Sequence, residues 1–274
     1  MQMIRFMTPD HGPVFGIGYD GHTASLLAGD IFSDFTDTGR RVAVQTLLPP
    51  IQPTAIFCIG LNYRQHAEET GLKIPQYPVV FMKNPGAVAA HGQAIEIPVS
   101  CSNVPEVDYE AELGVILKTP AKNVSEACAL DHVLAYTCVN DVSARRWQKH
   151  GGGGQWVKGK SFDTFCPMGP AMVTPDEVGN PQDLSVECIL NGKILQKGHT
   201  SDMIFSVARI ISFLSQSATL LPGTLILTGT PAGVGFVRNP PIYLVPGDQL
   251  DTRIERIGTL ENPVILEKNT DGPG

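Results

Sequence analysis

The sequence predicts a β-rich α+β protein, and three observations carry that expectation. Glycine and proline supply 28 and 22 of the 274 residues, about 18% of the chain where roughly 12% is usual. No collagen-like period accompanies the excess, so it points to many turns and short elements. Apolar runs of strand length, such as Thr54–Gly60 and Leu225–Leu227, outnumber segments with helical periodicity. Finally, Asn191-Gly192 separates the alternating Val186, Cys188 and Leu190 from Ile194, a strong local signal for a hairpin. A long helical bundle is ruled out.

In chain order, residues 1–52 form a small N-terminal β unit, with short strands at Val14–Gly18 and His22–Leu27 joined at Gly21. Pro49-Pro50-Ile51-Gln52-Pro53 is a linker, because adjacent prolines resist both helix and central strand. Residues 53–268 form the larger domain, and 269–274 a polar tail that frays. Two helices stand out. Residues 125–136 place Ala127, Leu130 and Leu134 at helical spacing. Residues 201–214 align Ile204, Val207, Ile211 and Leu214, with Ser201 or Asp202 as N-cap.

Charge narrows the function classes. Twenty Lys and Arg face 27 Asp and Glu, a net charge of −7, and no basic run exceeds an Arg-Arg pair. Nucleic acid is not an expected partner. No apolar stretch nears the roughly 20 residues that span a bilayer, so no membrane role is expected. The start has no signal-peptide core. Six well-separated cysteines without a CxxC are expected as free thiols in a reducing compartment, the cytoplasm first and the mitochondrion also compatible.

Gly154 to Ser161 matches the phosphate-loop pattern GxxxxGK[ST]. That mechanism needs a buried strand before the loop and a helix after it. Here more glycines precede it, and a β-like stretch ending at Pro167 follows. The run Gly151–Gly154, flanked by Trp147 and Trp156, is instead expected to be a hinge or lid.

The chemistry concentrates in acidic residues. Along a strand over Val107–Ile116, Asp108, Glu110 and Glu112 project to one face. Such a face is either solvated or holds a hard divalent cation, which prefers carboxylate oxygens. Asp141 ends the apolar run Val133–Val139, where a charge must be paired or metal-bound, and is a candidate third ligand. His66 and Glu69, three apart on a short helix, are either a surface ion pair or a base with its orienting carboxylate. The other histidines show no ligand spacing.

Together these segments resemble the fumarylacetoacetate hydrolase family over Thr54 to Ile265. The matching stretches occur in the family's order: Gly60–Glu69, Phe81-Met82-Lys83, Asp108–Val115, Asn140–Arg145, Lys158–Asp163 and Leu227–Gly235. Length and order are most similar to the small members: acylpyruvate hydrolases, oxaloacetate decarboxylases and 2-hydroxyhepta-2,4-diene-1,7-dioate isomerases. The resemblance implies a mixed β-sandwich roll, assembled as a homodimer. It implies Glu110, Glu112 and Asp141 as ligands of Mg²⁺, with Mn²⁺ or Ca²⁺ as substitutes, and Asp108 behind them or on the surface. It implies His66 and Glu69 as the pair that activates water and Lys160 as the group that stabilises negative charge. Arg145, Thr230, Asn62, Tyr63 and Gly229 would contact substrate.

The expected activity is metal-dependent C–C hydrolysis of a 2,4-dioxo acid through an enolate. The alternatives are oxaloacetate-type decarboxylation, 2-hydroxymuconate-type isomerisation, and a catalytically silent member that binds a keto acid. Gly86 stands where many relatives carry a hydroxyl residue, and is expected to open the pocket or remove a hydrogen bond.

Overall fold

The computed structural model describes residues 1–10, 12–149 and 153–268. The expectations for Gly151, Gly152, His11, His150 and the tail 269–274 lie wholly or partly outside these residues.

A twelve-stranded sheet dominates. Its main path runs Phe35–Ala43, Thr23–Gly29, Pro13–Ile17, Gln2–Met7, Cys166–Val173, Val133–Asn140, Ala111–Leu117, Thr224–Leu227, Ala55–Gly60 and Val79–Lys83. The N-terminal strands therefore extend the sheet of the larger part, with Gln2 opposite Val173 and Met3 opposite Met172. A five-stranded sheet, Lys193–His199, Ser185–Leu190, Gln249–Ile254, Gly258–Leu266 and Ile95–Ile97, covers one face. The main core, with Leu113, Val115, Tyr136 and Ile226 from the large sheet and Val186, Ile254 and Leu260 from the smaller, lies between them. A second cluster, with Cys58, Ile116, Val139 and Leu225, covers the opposite face. Every residue of Ala111–Leu117 and Val133–Asn140 is consequently buried. Such burial on both faces is the environment of continuous apolar runs.

Chain direction assembles the site. Thr224–Leu227 runs parallel to Ala55–Gly60, with Leu227 beside Cys58, so residues 61–63 and 228–230 emerge together at one end. Ala111–Leu117 is antiparallel to Thr224–Leu227 and begins at that end. Val133–Asn140 finishes there, with Asn140 opposite Ala111.

Three sequence expectations need correction. The helix expected over 125–136 is a 3-10 helix only at Glu126–His132, and Val133 begins a central strand. Leu134 met the helical spacing by coincidence; ladders on both sides outweigh that local preference. The helix over 201–214 is split into a 3-10 turn, Thr200–Asp202, and a helix, Val207–Leu214. Its cap is Ser206, whose Oγ accepts the Arg209 N–H. The break is enforced by Asn62, whose carbonyl and Oδ1 accept the N–H groups of Ile204 and Phe205. The strand over 107–116 is interrupted at residues 109–110: Val107–Asp108 pairs with Ser143–Ala144, outside the large sheet. The Asn191-Gly192 turn forms as expected, both residues adopting positive φ.

Candidate active site

At this end of the sheet, Glu110, Glu112 and Asp141 converge. One oxygen from each lies within 4.8 Å of the others, and all three residues are buried. Like charges at that distance repel by roughly 3–4 kcal/mol at an effective dielectric of 20. Strand geometry supplies the approach: Glu112 lies within Ala111–Leu117, Glu110 just before it, and Asp141 just after Val133–Asn140. The Asp141 N–H donates to the Glu110 carbonyl at 2.8 Å. The Glu110 N–H donates to Asn140 Oδ1 at 3.0 Å.

Three buried cations offset much of the charge. Lys160 Nζ lies 2.7 Å from both Glu110 Oε2 and Asp141 Oδ2. Lys83 Nζ lies 2.5 Å from Asp141 Oδ1. Arg145 Nη2 reaches Glu110 Oε1 at 2.6 Å and Asp108 Oδ2 at 2.8 Å. Asp108 also accepts the N–H groups of Gly235 and Phe236, so it belongs to the buried interior and not the surface. Although burial alone would raise the Glu110 carboxyl, Arg145 and then Lys160 hold it well below the usual range. Burial opposes the Lys160 ammonium, but Asp141 and Glu110 overcome it and raise its pKa.

Glu112 is the unbalanced member. Among the described residues no cationic side chain forms an ion pair with it, and Oε2 accepts only the Gly229 N–H, at 2.6 Å. Burial, then Asp141 and Glu110, push its carboxyl well above the ordinary value. Three converging carboxylates, one of them in no ion pair among the described residues, fit a hard divalent cation. Glu110, Glu112 and Asp141 could hold it.

The short helix Arg64–Thr70 carries His66 and Glu69. Its first turn is capped from a distance, Asp202 Oδ2 accepting the Gln65 N–H at 3.0 Å. His66 Nδ1 lies 3.1 Å from Glu69 Oε2. The second Glu69 oxygen accepts the Gly233 N–H at 2.8 Å. This fixes the carboxylate, and the carboxylate orients the imidazole.

His66, Glu110, Glu112, Arg145, Lys160 and Thr230 all line one cleft of about 120 Å³. Phe81 and Trp156 add an apolar wall, meeting edge to face with centroids 5.3 Å apart. Thr230 donates its hydroxyl to the Ala111 carbonyl and accepts from Gln196.

Asn62, Tyr63 and Gly229, expected to contact substrate, are not among the residues that line this cleft. Asn62 and Tyr63 are fully buried behind the cleft. The Asn62 side chain spans the carbonyls of Phe205 and Thr228. Gly229 has φ +95°, and a Cβ there would lie 2.7 Å from that of Asn62, so glycine is required to bring its N–H to Glu112. Gly86 is exposed and lies outside the cleft lining.

The Gly154–Ser161 stretch contains a short helix, Trp156–Lys160, which delivers Lys160 to the carboxylates. A Cβ on Gly159 would lie 2.7 Å from the Gln148 nitrogen. Lys83, Asn140, Gln148 and Gln196 escaped assignment from sequence. Lys83 was visible as the end of a matching stretch, but nothing local revealed its partner, 58 residues away. Gln196 likewise joins Ala111 to Thr230 across long separations.

The comparisons agree with this architecture. Residues 55–265 match the model "Fumarylacetoacetate (FAA) hydrolase C-terminal", and residues 1–50 match "Rv2993c-like, N-terminal". The chain is 45% identical over 236 residues to the fumarylacetoacetate hydrolase domain-containing protein 2 homolog of Dictyostelium discoideum, covering 82% of this chain and 76% of that protein. It is 39% identical to the Homo sapiens protein named oxaloacetate tautomerase FAHD2B, mitochondrial, over 97% of this chain and 92% of that one. The crystal structure of 2-hydroxyhepta-2,4-diene-1,7-dioate isomerase from Mycobacterium marinum superposes with a TM-score of 0.83 at 39% identity, covering 98% of this chain and 100% of that chain. This chain belongs to the fumarylacetoacetate hydrolase family.

Proposed function

We propose that this protein is a divalent-metal-dependent tautomerase of 2-oxo diacids of the oxaloacetate type. The observation that carries the reading is the convergence of Glu110, Glu112 and Asp141 beside Lys160, at a cleft lined by Glu110, Glu112, Lys160 and His66. The similarity to proteins named tautomerase and isomerase supports it, since both reactions move a proton along a 2-oxo or 2-hydroxy acid. Oxygen donors favour Mg²⁺ or Mn²⁺, and Ca²⁺ accepts the same ligands.

A bound divalent ion supplies Lewis-acid polarisation of the 2-oxo group. The chain's own residues do the rest. Lys160, held in its charged form by Asp141 and Glu110, donates to negative charge developing on the 2-oxygen. With its proton on Nδ1 toward Glu69, His66 has Nε2 free to accept a proton from C3 of the keto form. Transfer of that proton from His66 to the 2-oxygen completes conversion to the enol and returns His66 to its neutral form, and the reverse sequence returns the keto acid. Phe81 and Trp156 exclude water from one side, which strengthens these polar interactions.

The test follows ketonisation of enol-oxaloacetate with Mg²⁺ present and after chelation. Chelation and Glu112→Gln should each slow the reaction by at least about 10²-fold, and His66→Ala by about 10²–10⁴-fold. A rate indifferent to both chelation and Glu112→Gln would overturn the assignment.

The His66–Glu69 pair favours hydrolysis of a 2,4-dioxo acid as a second reading, because the same base can activate water. Assays with acetylpyruvate and fumarylpyruvate examine it. There Glu110→Ala should abolish both hydrolysis and decarboxylation of oxaloacetate, whereas His66→Ala should remove hydrolysis alone.

A further inference from the structure

Among the described residues, three Lys and Arg side chains line the cleft: Arg145, Lys149 and Lys160. Two already have anionic partners. Arg145 is engaged by Asp108 and Glu110, and Lys160 by Glu110 and Asp141. Lys149 differs, since no carboxylate of the described residues forms an ion pair with it. Its ammonium instead rests over the ring of Phe236, 3.4 Å from the centroid. The Arg145 guanidinium carbon lies 4.5 Å from the centroid of the same ring. Lys149 stands four residues after Arg145 on the helix Arg145–Lys149, so the two share a helix face. The lysine is thus a positive charge held at the cleft by an aromatic platform and placed near another cation. Partial burial, then Arg145, lower its pKa, so an arriving anion would relieve an existing electrostatic cost.

We infer that Lys149 receives the distal carboxylate of a 2-oxo diacid, making the cleft selective for diacids over monoacids of equal length. The inference rests on the oxo-acid reading above and adds a specificity residue to it. Lys160 and the acidic cluster serve the 2-oxo carboxylate end. The opposite end of a monoacid is apolar and gains nothing from an ammonium. A diacid replaces the water around Lys149 with a charge-assisted hydrogen bond. Phe236 limits where the ammonium can go, so less side-chain freedom is lost on binding.

The test is calorimetry on the Mg²⁺-loaded protein with a matched pair, 2-oxoglutarate and 2-oxopentanoate, which differ at the distal carboxylate. The wild-type protein should bind the diacid about tenfold more tightly or better. Lys149→Met should erase that preference while leaving the monoacid within about twofold, and Lys149→Arg should restore most of it. Lys149 is exposed on its outer side, so the variants should fold normally, as checked by thermal melting. Equal affinity of the pair for the wild-type protein, absence of binding by both included, would overturn the inference. So would a preference that survives in Lys149→Met. Selective binding without turnover of any oxo acid would sink the tautomerase reading and leave the role of Lys149 standing. Turnover without selectivity would do the reverse.

Discussion

Two ion pairs in this molecule have the same length and opposite consequences. Arg41 and Asp20, on the N-terminal strands and their turn, lie 2.7 Å apart with about half of each side chain exposed. Lys160 and Asp141 also lie 2.7 Å apart, but both are sealed from solvent. Around the first pair, water competes for each charge and salt screens it. Around the second, no water is available to solvate a charge whose partner is removed. Environment, rather than distance, decides what each pair does. The exposed pair holds a turn, whereas the buried network keeps charged groups together where a substrate can meet them. The strands behave alike: Phe35–Ala43 is mostly exposed, while Ala111–Leu117 is buried throughout.

The largest test of this contrast is Lys83→Met, which keeps the length of the side chain and deletes its charge. Asp141 loses one of two cationic partners, so urea unfolding should show a loss of about 3–5 kcal/mol. A loss below about 1 kcal/mol would mean that water reaches the cluster and the contrast is weaker than argued.

Next comes Asn140→Ala. Its side chain accepts from the Glu110 N–H and donates to Thr252 Oγ1, both within the interior. Equilibrium unfolding should report a loss of about 1–3 kcal/mol, the cost of stranding buried polar groups.

Thiol chemistry sharpens the comparison without mutation. Burial pushes the Cys166 and Cys138 thiols up to about 12, whereas Cys128 is exposed. Iodoacetamide at pH 8 should modify Cys128 first, with the two buried thiols unmodified until the chain unfolds. Mass spectrometry of the native protein checks this, and early labelling of Cys166 would reveal opening of the sheet.

The smallest expected effect is that of Arg41→Ala. Its melting midpoint should match the wild type within error, in low salt and in 1 M NaCl alike, despite the 2.7 Å contact. A clear shift would place the exposed pair on the same footing as the buried ones.

Much of the site was legible because local patterns carried it. Glu110 and Glu112 two apart, Asp141 at the end of an apolar run and the His66–Glu69 spacing are all short-range signals. The structure brings all of them to one end of the sheet. Signals of the same range misled where tertiary contacts outweighed them. Leu134 satisfied a helical stripe, yet a strand pairs on each side of Val133–Asn140. The family resemblance places Asn62 at the substrate, and what the fold shows of its side chain is that it holds Phe205 and Thr228.

By itself the sequence determined the β-rich class, the hairpin at Asn191-Gly192, the acidic residues of the site and the family. These follow from composition, period and ordered motifs, which need no knowledge of what lies opposite in space. Only the tertiary structure decided that Lys83 meets Asp141, that Arg145 bridges Asp108 and Glu110, that Glu112 forms no ion pair among the described residues, and that Lys149 stands on Phe236. Each of those pairings joins residues dozens of positions apart or depends on burial from every side. Strand order and chain direction create such proximity, and a local window of residues cannot express it.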